Sequence, residues 1–268
     1  MFLPSQALTQ ISRNFNQKDK PLYEIGAGMI GLSVPNYPGA KSSTFRAIPF
    51  PWVIYRGDLL KADEEGNRLQ FLKNDFFEVG LSGGFNFPID SNENDAREGM
   101  PNTDALIGIG PGLIVRLPTQ SLQRFTFGLG IRANFAANTA GNLKEHGFII
   151  EPNLRYWVKT SRTSPLTIFS SLSLAYADQK YHSFFYDIDE QYKTSNRESY
   201  KSKSGLVDLA GSLGFSLDLS KKSSFFTGLT YSNLTVSANK ESSLVESQHN
   251  IGYVFGFAWM FHEKYLDQ

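Results

Sequence analysis

The chain has 268 residues, with 26 Lys and Arg against 26 Asp and Glu, so no net field draws nucleic acid or anionic lipid to the molecule as a whole. Cysteine is absent, which excludes disulfides, thiolate nucleophiles and thiolate zinc sites. No run approaches the roughly 18–20 apolar residues of a membrane-spanning helix, while 22 Phe, 12 Tyr and 23 Gly supply the ring and small residues that alternating barrel strands consume.

Residues 1–22 form a polar lead-in. Within it Phe2 to Ala7 reads either as plain sequence or as the remnant of a signal peptide cleaved after Ala7, because MFLPSQALTQ lacks a basic n-region and a full apolar stretch. A barrel is expected over residues 23–261, followed by a short tail at 262–268. The first strand, Tyr23 to about Val34, sets Tyr23, Ile25, Ala27 and Met29 against Glu24, Gly26 and Gly28. Pro35, Pro38 and Gly39 end it. The second runs from Phe45 to about Ala62, where Pro49 and Pro51 each remove a ladder donor and predict a bulge or an edge-like distortion. Asp63 to Asn67 has the composition of a tight turn.

The third strand alternates Phe77, Val79, Leu81, Phe85 and Phe87 with Glu78, Gly80, Ser82, Gly84 and Asn86. After a polar loop from Asp90 to Asp104, Ile107, Ile109, Leu113, Val115 and Leu117 oppose Gly108, Gly110, Gly112 and Arg116. The fifth strand is the most regular, with Phe125, Phe127, Leu129, Ile131, Ala133 and Phe135 opposite Thr126, Gly128, Gly130, Arg132 and Asn134. Beyond a loop at Asn138 to Gly147, Phe148, Ile150, Leu154, Tyr156 and Val158 face away from Glu151, Asn153, Arg155 and Lys159. The seventh sets Leu166, Ile168, Leu172, Leu174 and Tyr176 against Thr167, Ser171, Ser173 and Ala175, then enters a tyrosine-rich loop ending near Ser204. In the eighth, Val207, Leu209, Leu213, Phe215 and Leu217 oppose Asp208, Ala210, Ser212, Gly214, Ser216 and Asp218. The ninth loses its alternation near Asn233, and the last, Asn250 to Phe261, carries Tyr253, Phe255, Phe257, Trp259 and Phe261 on one face and small residues on the other. A bulky apolar outer face over a small inner one is the pattern of a wall facing lipid.

The reading is an all-β, transmembrane, antiparallel up-and-down β-barrel of about ten strands whose connections alternate long and short. A soluble barrel has no reason to sort its loops by parity. In a transmembrane barrel the short turns and the termini lie on the periplasmic side. Twelve strands would result if Asp58 to Lys73 formed a separate hairpin, but its arms fall short of the roughly 9–11 residues needed to span.

The inward charges are Glu24, Glu78, Arg116, Arg132, Glu151, Arg155, Asp208 and Asp218. They form either a selectivity path or a salt-bridged filling, and the narrow lumen of eight to ten strands favours the filling. His146, His182, His249 and His262 have no metal-ligand spacing, so neither metal nor cofactor is expected. His182 with Ser183 and Asp178 or Asp187 can be drawn as an acid–base constellation, though no nucleophile motif accompanies it. The glycine-rich Gly108 to Gly112 lies within a strand, with no following helix to bind phosphate. Lys193 to Lys203 reads as a solvated loop tip.

Several stretches coincide with a known family: Tyr37-Pro38-Gly39 after a Gly-rich strand, Pro49-Phe50-Pro51 leading to Tyr55-Arg56-Gly57-Asp58, and Ala96-Arg97-Glu98-Gly99-Met100-Pro101. Phe185-Tyr186, Arg197-Glu198-Ser199-Tyr200, Gly205 and the closing GFAWMF complete the set. In this order they resemble the MipA/OmpV family of outer-membrane proteins, the MltA-interacting proteins, from about Tyr23 to Phe261. The resemblance implies a barrel in the Gram-negative outer membrane, in contact with its lipid. It also implies a non-enzymatic scaffold that joins a lytic transglycosylase to a peptidoglycan synthase in murein turnover. The murein-side surface would be the turns Asp63 to Asn67, Pro118 to Gln123, Thr160 to Pro165 and Ser220 to Ser223, with the N-terminal segment. Two alternatives stay open: a narrow pore for small solutes, and a surface adhesin or loop-borne hydrolase.

Overall fold

The computed structural model describes residues 23–56, 60–63, 66–73, 76–138 and 141–264, with side chains over 25–51, 76–138 and 141–262. Its strands are β1 (Tyr23–Pro35), β2 (Ser43–Arg56), β3 (Leu60–Asp63), β4 (Gly66–Lys73), β5 (Phe77–Asn86) and β6 (Ala105–Leu117). Then follow β7 (Gln123–Ala137), β8 (Leu143–Lys159), β9 (Leu166–Ala177), β10 (Gly205–Asp218), β11 (Ser223–Asn233) and β12 (His249–Lys264). Among the described residues one α-helix, α1 (Gln179–Tyr186), lies between β9 and β10. Neighbours in sequence are neighbours in the sheet, all antiparallel, and β12 pairs with β1 over Tyr23 to Ser33.

Ten of these strands are long, from the 10 residues of β5 to the 17 of β8, and they form the up-and-down sheet that the alternation predicts. The hairpin β3–β4, with arms of 4 and 8 residues, is too short to add spanning strands. It corrects the sequence reading in two ways. The second strand ends at Arg56, not near Ala62, and the turn after Asp63 joins an outgoing arm to a returning one. The hairpin therefore points away from the end where β1 begins and β12 ends, and its turn does not belong with the short turns at 118–122, 160–165 and 219–222.

Among the described residues the hydrogen-bonded circuit closes through this hairpin. β2 meets β3 at two positions and β4 meets β5 at three, and among the described residues no ladder joins Ser43–Ile54 to β5. The ten long strands thus do not close edge to edge. The prolines give the reason: Pro49 and Pro51 have the same parity and remove donors from a single edge of β2, while its other edge pairs with β1 at 13 positions without a bulge. The edge-like distortion expected of these residues is this seam. Arg46 lies over the Phe87 ring at 4.5 Å and spans it with a side-chain contact.

Outside the barrel, Tyr253, Phe255, Phe257, Trp259 and Phe261 are 44–56% exposed. Inside, Val254, Ala258 and Met260 pack with Ile30, Leu32, Val34 and Phe226. Phe226 is fully buried because Gly256 opposes it: a Cβ there would lie 2.4 Å from its ring. In β10 the expected alternation fails at Val207. A bulge between Leu206 and Asp208 turns Val207 inward beside Asp208, so it is 3% exposed and not on the outer face.

Candidate functional site

The long connections at one end, residues 36–42, 87–104, 178–204 and 234–248, fold together over the barrel mouth. The fifth connection is short, because β8 begins at Leu143 where the sequence reading extends a loop to Gly147. At the centre of the cap is α1. Asp178 caps it by accepting from Tyr181 N at 2.9 Å, and also accepts from Phe148 N at 3.2 Å. Asp178 can approach because Gly147 has φ +70° and no side chain; a Cβ would lie 2.0 Å from its Oδ1. Eight residues are too few for an isolated helix. Burial holds this one: Tyr181 and Phe185, and His182 and Tyr186, form i, i+4 pairs that all face inward.

Two arginines tie the loops to one another. Arg97, 3% exposed, donates to Phe185 O and Ser91 Oγ at 3.3 Å and to Pro101 O at 3.4 Å, and its guanidinium lies 5.8 Å from the Tyr37 ring centre. Arg197 donates to Tyr192 O, Ala96 O and Glu98 O, each at 2.9 Å. Tyr186 OH donates to Pro38 O at 3.0 Å, and Ser242 Oγ donates to Tyr186 O at 3.0 Å. Asn250 closes the first loop by accepting from Gly39 N at 2.7 Å and donating to Ala40 O at 3.0 Å. Asn239 does the same for residues 178–204, accepting from Lys203 N and donating to Lys203 O, both at 2.8 Å. Burial pushes the Tyr181 and Tyr186 phenols far above their usual range and lowers Arg97 and His182.

Lys193 to Lys203 is therefore not simply a solvated tip. Lys193 and Lys201 are exposed, on Glu198 at 2.5 Å and Asp189 at 2.7 Å, but Arg197 is 7% exposed and structural. The acid–base constellation is not assembled either. His182 Nε2 donates to Gly205 O at 3.1 Å, Ser183 Oγ donates to Lys180 O at 2.8 Å, and Asp178 is occupied as the helix cap.

Beneath the cap lie the interior charges. Arg116 pairs with Glu78 at 2.6 Å, and Arg132 pairs with Glu151 at 2.6 Å while donating to Ser82 Oγ at 3.0 Å. Asp218 accepts from Ser224 Oγ at 2.9 Å, near the end of the barrel that holds the short turn at 219–222. Arg155 is half-buried on the inner face of β8, and Glu24 falls in β1 with its side chain outside the described residues. Glu151 and Asp208 line one cavity. It has a volume of about 60 Å³ and lies under Tyr181 and Pro38. Ser232 Oγ donates to Asp208 Oδ2 in a short hydrogen bond.

The cap residues Tyr37, Arg97, Tyr186, Arg197, Asn239 and Asn250 are absent from the charge-based reading. The available signal was the i, i+4 aromatic spacing of QKYHSFFY directly after an Asp, which marks a capped amphipathic turn inside a supposed loop.

The family model for the MltA-interacting protein MipA matches residues 26–261. No match is found among curated proteins. Among solved structures the chain is similar to the NanC porin, at 9% identity and TM-score 0.40, over 90% of this chain and 100% of that one. It is also similar to the translocator domain of the autotransporter NalP from Neisseria meningitidis, at 10% identity and TM-score 0.42, over 91% and 90% of the two chains. A Pseudomonas aeruginosa FadL homologue aligns at 8% identity and TM-score 0.40, over 98% and 99%. With the family match running from the start of β1 to the end of the aromatic run in β12, the chain belongs to the MltA-interacting protein MipA family, barrels of the Gram-negative outer membrane.

Proposed function

We propose that this protein is a non-enzymatic scaffold of the outer membrane that holds a membrane-bound lytic transglycosylase, of the kind the family name specifies, together with a peptidoglycan synthase. The observation that carries this reading is the occlusion of the barrel. Its mouth is closed by α1 and interlocked loops, and its inner wall carries two ion pairs of 2.6 Å, each between neighbouring strands. A cylinder closed in this way offers surfaces and not a passage. The exposed rings of β12, with Met29, Phe45, Ile131 and Leu213, face acyl chains, which leaves the two ends for partners. The start of β1, the end of β12 and the short turns lie at one end, and in outer-membrane barrels the end with the short turns faces the periplasm, where murein lies. The partner surface comprises the turns 118–122, 160–165 and 219–222.

The test is co-purification of the detergent-solubilised barrel with an immobilised lytic transglycosylase, after replacing these three turns by Gly-Ser segments of equal length. Retarded migration of unheated protein in SDS gels reports intact assembly. Loss of binding by an assembled barrel is expected, and undiminished binding overturns the assignment of the surface. Single-channel conductance of the unaltered protein in a planar bilayer would favour the pore instead.

A further inference from the structure

The lipid-facing wall and the short turns meet where β11 joins β12. Ser223, the first residue of β11, is paired with Trp259, and one rung farther out the carbonyl of Lys222 accepts from Met260 N at 2.7 Å. Trp259 is 54% exposed, and its ring stands edge to face with that of Phe261 at 6.2 Å. Aromatic rings on the outer face near a strand end sit at the level of the lipid headgroups. The backbone therefore holds Lys221 and Lys222, both exposed, at that level. The turn at 160–165 stands beside this one, because Asp218 N donates to Pro165 O at 2.9 Å, and it carries the exposed Arg162. With two strand spacings between them, the two turn tips are roughly 10 Å apart. The turns 118–122, 160–165 and 219–222 contain these three basic residues and no Asp or Glu, whereas 87–104 at the mouth holds five carboxylates against Arg97. Asp218, the carboxylate next in sequence, faces the lumen on Ser224 Oγ.

We propose that the turns 160–165 and 219–222 bind the phosphate of an anionic phospholipid in the periplasmic leaflet, with Arg162, Lys221 and Lys222 meeting the headgroup and Trp259 and Phe261 its glycerol and upper acyl carbons. The level of the site selects lipid over murein: a headgroup already lies beside Trp259, whereas murein begins farther into the periplasm. The sign of the site selects among lipids. A zwitterionic headgroup brings an ammonium that turns without a carboxylate leave unmet, so a net negative headgroup is preferred. The residue types suit the boundary as well, since Lys and Arg lay apolar stems along the wall and keep their charged heads in the polar layer, and the indole N–H of Trp supplies a donor there. No murein enzyme enters this contact, so its outcome is independent of the scaffold reading.

The experiment titrates the purified full chain, in a non-ionic detergent, with dimyristoyl phosphatidylglycerol and with dimyristoyl phosphatidylcholine, and reads the bound fraction by native mass spectrometry. Phosphatidylglycerol should bind about tenfold more tightly. In the triple variant Arg162→Gln, Lys221→Gln, Lys222→Gln the preference should fall to within about twofold, while Lys193→Gln with Lys201→Gln, at the mouth, should leave it intact. Equal binding of the two lipids by the unaltered chain, a triple variant that keeps the full preference, or an equal loss in the mouth variant overturns the proposal. Displacement of phosphatidylglycerol by soluble murein fragments at equal concentration would give the surface to murein and overturn it too. Should the triple variant fail to assemble, Lys222→Gln alone decides, and an unchanged ratio then overturns it.

Discussion

Replacing Arg197 by Ala tests whether the cap is held by side chains or merely rests on the barrel. The guanidinium is 7% exposed and donates to three backbone carbonyls on two loops, all at 2.9 Å. Hydrogen bonds from a charged donor contribute about 1.5–3 kcal/mol each when buried. Of the three acceptor residues, Glu98 is exposed and Ala96 and Tyr192 are half-buried, so water recovers part of each bond. About 1 kcal/mol apiece is the appropriate figure, or roughly 3 kcal/mol in all, equivalent to about a hundredfold in the opening equilibrium. Hydrogen exchange read by mass spectrometry should show that acceleration in residues 87–104 and 187–204 together, with β7 and β8 unchanged. Arg197→Lys should restore only part of the protection, because one ammonium cannot reproduce the planar fork that reaches Ala96 and Glu98 at once. Equal exchange in the variant and the unaltered chain would refute the staple, and acceleration spread through the barrel strands would refute its local character.

Phe226→Ala removes a fully buried ring from the inner cluster and should cost about 3–5 kcal/mol, seen as a lowered midpoint for loss of compact gel mobility. His182 is held below its ordinary pKa of 6.5, chiefly by burial against the opposing pull of Gly205 O and Asp178. A depressed folded pKa means that the neutral ring's contribution is complete above pH 6.5 and is lost as pH falls from there through the folded value. Chymotryptic cleavage of residues 178–204 should therefore accelerate on acidification below that point, and His182→Gln should flatten the dependence. A nitroxide at position 127, on the outward face of β7, should report a hydrocarbon environment in reconstituted bilayers; an aqueous signal would remove the lipid-facing assignment.

The strands were legible because each carries a period-two pattern that separates lipid from lumen, and β7 states it over 15 residues with no exception near its middle. The pattern misled where a bulge inserted a residue. Val207 has the polarity of an outward position and lies inside, because nothing in its own side chain reveals that the chain gains a residue there. The hairpin at 60–73 was set aside on the length of its arms, a sound reason against spanning strands but not against a short pair. The ion pairs could be anticipated as a set, since charges on an inner face must meet, but which carboxylate met which arginine depends on register around the barrel. Loop composition was the weakest guide. Polar, charged segments read as solvated, whereas Arg97 and Arg197 are buried because backbone carbonyls of neighbouring loops converge on them.

The stretches that carry the family resemblance are brought together by the fold: Tyr37 lies by Arg97, Arg97 donates to Phe185 O, Tyr186 to Pro38 O, and Arg197 to the carbonyls of Ala96 and Glu98. What the resemblance reports is therefore a way of closing the barrel mouth, at the end opposite to the short turns. A scaffold for murein enzymes needs the other end. The two properties can then be separated by mutation: Arg97→Ala combined with Arg197→Ala should open the cap to protease while transglycosylase capture stays at its original level, because some 13 residues of β6 and 15 of β7 separate the two surfaces. Capture that falls in step with cap opening would move the partner surface to the mouth and require the barrel to sit the other way round in the membrane.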